Sequence, residues 1–195
     1  MDEPQCDLAK VAGVFPVGGV GVMLFGTLLS GVVLLVGVLV LRHWTGWQWA
    51  ICLGLLLWSL VVIAMVTLIP ANGAPGVVSA EGRLTTCSFD IGGPAPDGFW
   101  IFAGGQRLLN TVVFAPSGAL LVLVVTRWRA GWVAVPLGLV LLAAYSAGIE
   151  KTQLELARID RACDVTDIID NTLGAAIGVG VGLVLMLVLR PWRQR

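Results

Sequence analysis

The chain has 195 residues, 57% of them hydrophobic and 12% charged, with 12 acidic side chains balanced by 12 Lys and Arg. A soluble globular chain is about half apolar and about a quarter charged, so a water-soluble domain of this length could not bury so much apolar surface. The formal net charge of zero says little about partners, and no nucleic acid is expected among them.

A membrane-spanning helix needs about 20 mainly apolar residues. In chain order, such runs occupy residues 18–41, 47–69, 108–126 and 131–149, with a fifth at 172–189. None alternates polar and apolar residues with period two, and open strands would leave backbone groups unpaired in hydrocarbon, so helices are predicted and not a barrel. The first run follows Asp2, Glu3, Asp7 and the single cation Lys10, and it is too long for the apolar core of a cleaved signal, so it is kept as a helix. The fold expected is all-α, a polytopic bundle of about five transmembrane helices, with residues 1–195 forming one membrane domain.

Charge sets the expected orientation. With the N-terminus outside and the C-terminus cytoplasmic, Arg42, Arg127, Arg129, Arg190, Arg193 and Arg195 fall in short inner connections and a short tail, and all 12 acids fall outside. Short inner segments rich in Lys and Arg are where the positive-inside rule acts most strongly. Trp44, Trp47, Trp49, Trp128, Trp132 and Trp192 gather on the same inner side, as interfacial anchors do.

Cys6, Cys87 and Cys163 lie outside in this scheme, where thiols can oxidise. A Cys87–Cys163 bridge would tether the 70–106 loop to the acidic connection before the last helix; a Cys6 partner and unpaired thiols are the alternatives. The 70–106 loop is rich in Gly and Pro and reads as a cap.

Polar chemistry is concentrated between Ser146 and Asn171. At about 100° per residue, Ser146, Glu150 and Gln153 share one narrow arc at the end of the fourth helix. If the fifth helix begins by Asp164, then Asp164, Asp167 and Asn171 form a stripe that continues through Gly174, Gly178 and Gly182, and small residues at that spacing turn a stripe toward the protein interior. Asp164 or Thr166 is the expected N-cap of that helix, while Asp160 and Asp170 are expected in solvent. Glu150 needs a partner near the hydrocarbon edge, which Arg158 or Arg161 could supply. Asn110 and Ser117, on either side of Phe114 and Pro116, add a polar point at the start of the third helix.

These residues resemble the VanZ-like family of small bacterial membrane proteins, named for a member associated with teicoplanin resistance. The pattern is Thr67, Leu68, Ile69 and Pro70 ending a helix, then Asn110, Phe114, Pro116 and Gly118, then Ser146, Glu150, Gln153, Arg161, Asp164, Asp167, Asn171, Gly174 and Gly178. It covers about residues 58–189 and leaves the 18–41 helix as an N-terminal addition. The spacing from Gln153 to Arg161 is two residues longer than the family's usual form. What the resemblance implies is a place in the bacterial plasma membrane and a role in glycopeptide tolerance, without a settled reaction.

Two functions are weighed. In the first, an outward-facing cleft binds a membrane lipid, a lipid-linked cell-wall precursor or a lipoglycopeptide, with Arg161 for the anion and Asn110, Gln153, Asp164 and Asn171 as further contacts. In the second, a membrane enzyme uses Glu150 or Asp167 as general base, with no resident cofactor or with a divalent cation held by Glu150, Asp164 and Asp167. No Ser-His-Asp set, HExxH or CxxC is present, and the one histidine, His43, falls on the other side. Transport would need polar residues through the bilayer middle.

Orientation is directly testable. A membrane-impermeant maleimide is expected to label single cysteines placed at Ser79 or Asp160 in intact cells, and to label one placed at Arg129 or Gln194 only after permeabilisation. Labelling at position 129 in intact cells would reverse the assignment.

Overall fold

The computed structural model describes residues 19–69, 86–89, 105–155 and 163–193, apart from the side chains of Gln106 and Arg193. Five helices carry these segments apart from 86–89: α1 (Val20–Thr45), α2 (Trp47–Leu68), α3 (Gly105–Val125), α4 (Gly131–Glu155) and α5 (Val165–Leu189). Each is long and apolar enough to cross a membrane, so the chain is a multi-pass, all-helical membrane protein. A single 3-10 turn, Pro191–Arg193, follows α5.

Four helix ends extend past the apolar runs, the start of α3 at Gly105 by only three residues. The first helix continues to Thr45, α4 continues to Glu155, and α5 starts at Val165, well before the apolar run at 172–189. Hydropathy marks where hydrocarbon begins. The backbone ladder runs on into the interfacial zone, where polar side chains are tolerated.

Local chemistry sets the boundaries. Gly46 alone separates α1 from α2, at a φ of 86° that disfavours side-chain-bearing residues, and its N–H donates to the Arg42 carbonyl. At the start of α5 the Asp164 side chain accepts the Thr166 N–H at 2.8 Å. Its far end closes on Arg190, left-handed at a φ of 48°, just before Pro191, which cannot continue a helix.

The parallel helices α3 and α5 form the centre of the bundle. Gly174, Gly178 and Gly182 face the backbone of Thr111, Ala115 and Ala119, while Gly118 faces Ala175. A Cβ at Gly174 or Gly178 would overlap a carbonyl oxygen of α3, so only glycine permits this approach. Around the pair, Ile63 of α2, Phe114 and Leu121 of α3, Leu142 and Ile149 of α4 and Ala175 of α5 form a buried apolar cluster. Free Cys52 lies in a second cluster with Leu56, Leu123 and Val124.

Helix α1 packs on α2, where the Trp58 Nε1–H donates to the Thr27 carbonyl at 3.0 Å over Gly31. Its remaining surface, including Phe25, Leu28 and Val33, is exposed apolar area suited to lipid. The end where α1 meets α2 is tied by aromatic and cationic side chains: Trp49 Nε1–H donates to Val124 O at 3.0 Å, Arg127 Nη1–H to Thr45 O at 2.6 Å, and the Arg42 guanidinium lies 4.2 Å from the Trp47 ring centroid.

Gly178→Val is expected to lower the thermal midpoint of the purified protein in detergent markedly, since overpacking costs about 1–3 kcal/mol or more. Gly180→Ala, whose Cβ would meet nothing within 4 Å, is expected to leave it almost unchanged. Equal melting of the two variants would mean that α3 and α5 do not touch through this stripe.

Candidate functional site

At the end of the bundle where α3 and α5 begin and α2 and α4 finish, polar side chains from several helices meet. Glu150 and Gln153 sit in the last two turns of α4, buried, with Glu150 only 3% exposed. One turn deeper, buried Ser146 accepts a hydrogen bond from Asn171 Nδ2 at 2.9 Å. The Gln153 amide donates to the Thr67 carbonyl at the end of α2 at 2.9 Å. The expected arc of Ser146, Glu150 and Gln153 therefore does face protein, and it reaches two different neighbours.

On the facing side, Asn110 Nδ2 donates to Asp167 Oδ1 at 2.7 Å, joining α3 to α5. Asp164 is the N-cap of α5, and its own backbone N–H donates to Glu150 Oε2 at 3.1 Å. Ser117 lies deeper than Asn110 and shares a 2.8 Å hydrogen bond with Ser59. Among the described residues, every buried side-chain nitrogen and oxygen has a hydrogen-bond partner. That is required at the edge of a medium that offers none.

Asp170 corrects the sequence reading. It is fully buried, at 0% exposure, where solvent was expected. Arg107 holds it in a two-point pair, Nε to Oδ2 at 2.8 Å and Nη2 to Oδ1 at 3.0 Å. The helical signal for this was available: Asp170 precedes Gly174 by four residues and so extends the interior stripe, and Arg107 precedes Thr111, the residue that Gly174 touches, by the same interval. Arg107 was missed because it stands just ahead of the apolar run of α3, where a cation reads as an interfacial flank.

The segment 86–89 reaches this end through a disulfide between Cys87 and buried Cys163. Beside it the Ser88 N–H donates to Cys163 O at 2.8 Å and the Val165 N–H donates to Ser88 O at 3.1 Å, a one-residue parallel bridge between Ser88 and Asp164. Of the pairings weighed from the sequence, the structure has Cys87–Cys163. The bridge therefore clamps the residue whose amide meets Glu150.

Arg158, Asp160, Arg161 and Cys6 lie outside the described residues. Among the described residues no three His, Cys, Asp or Glu side chains are grouped to hold a metal ion.

A family model described as VanZ/LLP1 matches residues 33–188, which is most of the chain and spans every residue of the polar end. The match starts within α1, further toward the N-terminus than the resemblance over 58–189. No curated protein and no solved structure matches the chain.

The clamp has an observable consequence. Peptides containing Cys87 and Cys163 are expected to be recovered joined when the protein is digested without reductant. In a Cys87→Ala, Cys163→Ala double variant, membrane insertion should persist because hydrophobicity sets it, while amide exchange of residues 163–166 should quicken. Free alkylation of both thiols in unreduced protein would remove the clamp.

Proposed function

This chain belongs to the VanZ/LLP1 family, and we propose that it is a binding protein of the bacterial plasma membrane that holds an envelope lipid head group, a lipid-linked cell-wall precursor or a lipoglycopeptide at its outward-facing polar end, affecting tolerance of teicoplanin-type antibiotics. In this reading the N-terminus is outside, and the polar end where α3 and α5 begin faces the cell exterior.

One observation carries the proposal. Glu150, Gln153, Asp170 and Asn171 are buried together at one end of a bundle whose other end is closed by Trp and Arg side chains. Burying an ionisable group beside hydrocarbon is unfavourable unless it is paired, and such groups mark ligand sites more often than scaffolds. A scaffold needs less, because the glycine stripe already joins α3 to α5. Asn110, Gln153, Asp164 and Asn171 are the contacts assigned to the ligand, Glu150 and Asp167 are its carboxylates, and Arg161 is its additional cation.

Native mass spectrometry of the protein purified with its lipids is expected to find a polyprenyl-linked or other envelope-specific species retained. Glu150→Gln and Asp167→Asn are expected to reduce that retention strongly with little loss of folded protein. Lys151→Gln, at an exposed position paired with Glu155, should not. Retention of bulk phospholipid alone, or full retention of the envelope species by both site variants, would refute the assignment.

A further inference from the structure

The Arg107 guanidinium has two edges that can each grip an oxyanion, one formed by Nε and Nη2 and the other by Nη1 and Nη2. Asp170 takes the first edge through both of its oxygens. Among the described residues Nη1 makes no hydrogen bond, so the second edge is unspent. The Asp170 side chain is sealed in the interior at 0% exposure, but the Arg107 side chain is 18% exposed. The carboxylate thus fixes the arginine from behind, and its outer face reaches the surface.

Helix association does not explain the pair. The glycine stripe already brings α3 and α5 into backbone contact beside it, from Thr111 and Gly174 inward. A buried ion pair adds little net stability over well-packed apolar residues of similar volume, because desolvation offsets the attraction. A two-point carboxylate that orients an arginine while leaving its second fork open has a chemical use: it presents a rigid pair of N–H donors to a second oxyanion.

The neighbouring carboxylates keep their negative charge and oppose an anion, but each is engaged by a donor other than Arg107. Of the neighbouring carboxylates, Asp167 accepts the Asn110 amide and Asp164 accepts the Thr166 N–H of its own helix. Helices α3 and α5 both begin at this end, so their positive dipole ends point the same way.

We propose that Arg107, oriented by Asp170, is an oxyanion-binding site that takes a phosphoryl group, either on a membrane lipid or free in solution. The site lies at the end assigned above to an envelope ligand and so deepens that reading, naming phosphate as the chemistry recognised.

The test uses the full-length protein in dodecyl maltoside, which carries no phosphate, with native mass spectrometry as readout. Phosphatidic acid and diacylglycerol of identical chains are added in parallel. Hydrogen bonds to a charged group contribute about 1.5–3 kcal/mol, so wild type should retain phosphatidic acid about tenfold or more over diacylglycerol. Because Arg107→Gln alone would strand Asp170 in the interior, the decisive variant is the apolar pair Arg107→Met with Asp170→Leu. It should melt within a few degrees of wild type yet lose the preference, whereas Arg107→Lys, a point charge without a second fork, should keep the fold and lose most of it. Competition by inorganic phosphate supports a site open to the free oxyanion, and an intact preference without competition supports a lipid-borne phosphoryl group. Equal preference in wild type and the folded apolar variant overturns the assignment, as does no preference in wild type. An envelope-specific lipid retained by the apolar variant would sink this inference alone. Arg107-dependent phosphate binding with no envelope lipid ever retained would instead sink the wider reading.

Discussion

Backbone-to-backbone contact between α3 and α5 is the constraint from which the rest of this structure follows. Apolar helices gain little by leaving lipid for one another, so association depends on dispersion at short range and on polar pairs that the close approach makes possible. Gly174, Gly178 and Gly182 bring the α5 axis against the carbonyls of Thr111, Ala115 and Ala119. That register then determines which polar side chains meet above it. Arg107 stands one turn before Thr111 and Asp170 one turn before Gly174, so the two groups that complement each other are neighbours once the glycines have seated.

The second organising feature is the asymmetry of the two ends. Where α1 turns into α2, the links run from indole and guanidinium donors to backbone carbonyls, an arrangement that anchors helix ends at a lipid interface. At the other end side chains from α3, α4 and α5 bond mainly to one another and to the clamped 163–165 segment. Glu150 illustrates how far that end depends on distant chain. Its carboxylate meets the amide of Asp164, Asp164 is bridged to Ser88, and Cys163 is joined to Cys87, 76 positions away in sequence.

Much of this was legible in the residues, and the exceptions have a common cause. The five helices, the interior placement of Ser146, Glu150, Gln153 and Asn171, the capping of α5 by Asp164 and the interior glycine stripe all follow from periodicity within one helix, which is local. The apolar runs stop short of Thr45 and Glu155 and begin after Val165, because hydropathy reports the hydrocarbon boundary and not the end of the hydrogen-bond ladder, whereas the cap at Asp164 is legible from its own side-chain chemistry. Asp170 continues the glycine stripe, yet sequence alone points it to solvent, because a carboxylate with no visible counter-ion is expected to seek water.

Sequence alone determined that this chain is a polytopic helical membrane protein, which faces of its apolar helices turn inward, and where its polar chemistry is concentrated, since hydrophobicity and the 3.6-residue repeat act over a few turns. Only the tertiary structure decided the pairings of Asp170 with Arg107, Asn110 with Asp167 and Gln153 with the end of α2, while among the cysteine pairings it has the Cys87–Cys163 bridge that the sequence favours. Each is a contact between segments far apart in the chain. For the α3–α5 pairs the partner is set by the depth and rotation at which the two helices lock, which the glycine contacts establish and which no single helix records.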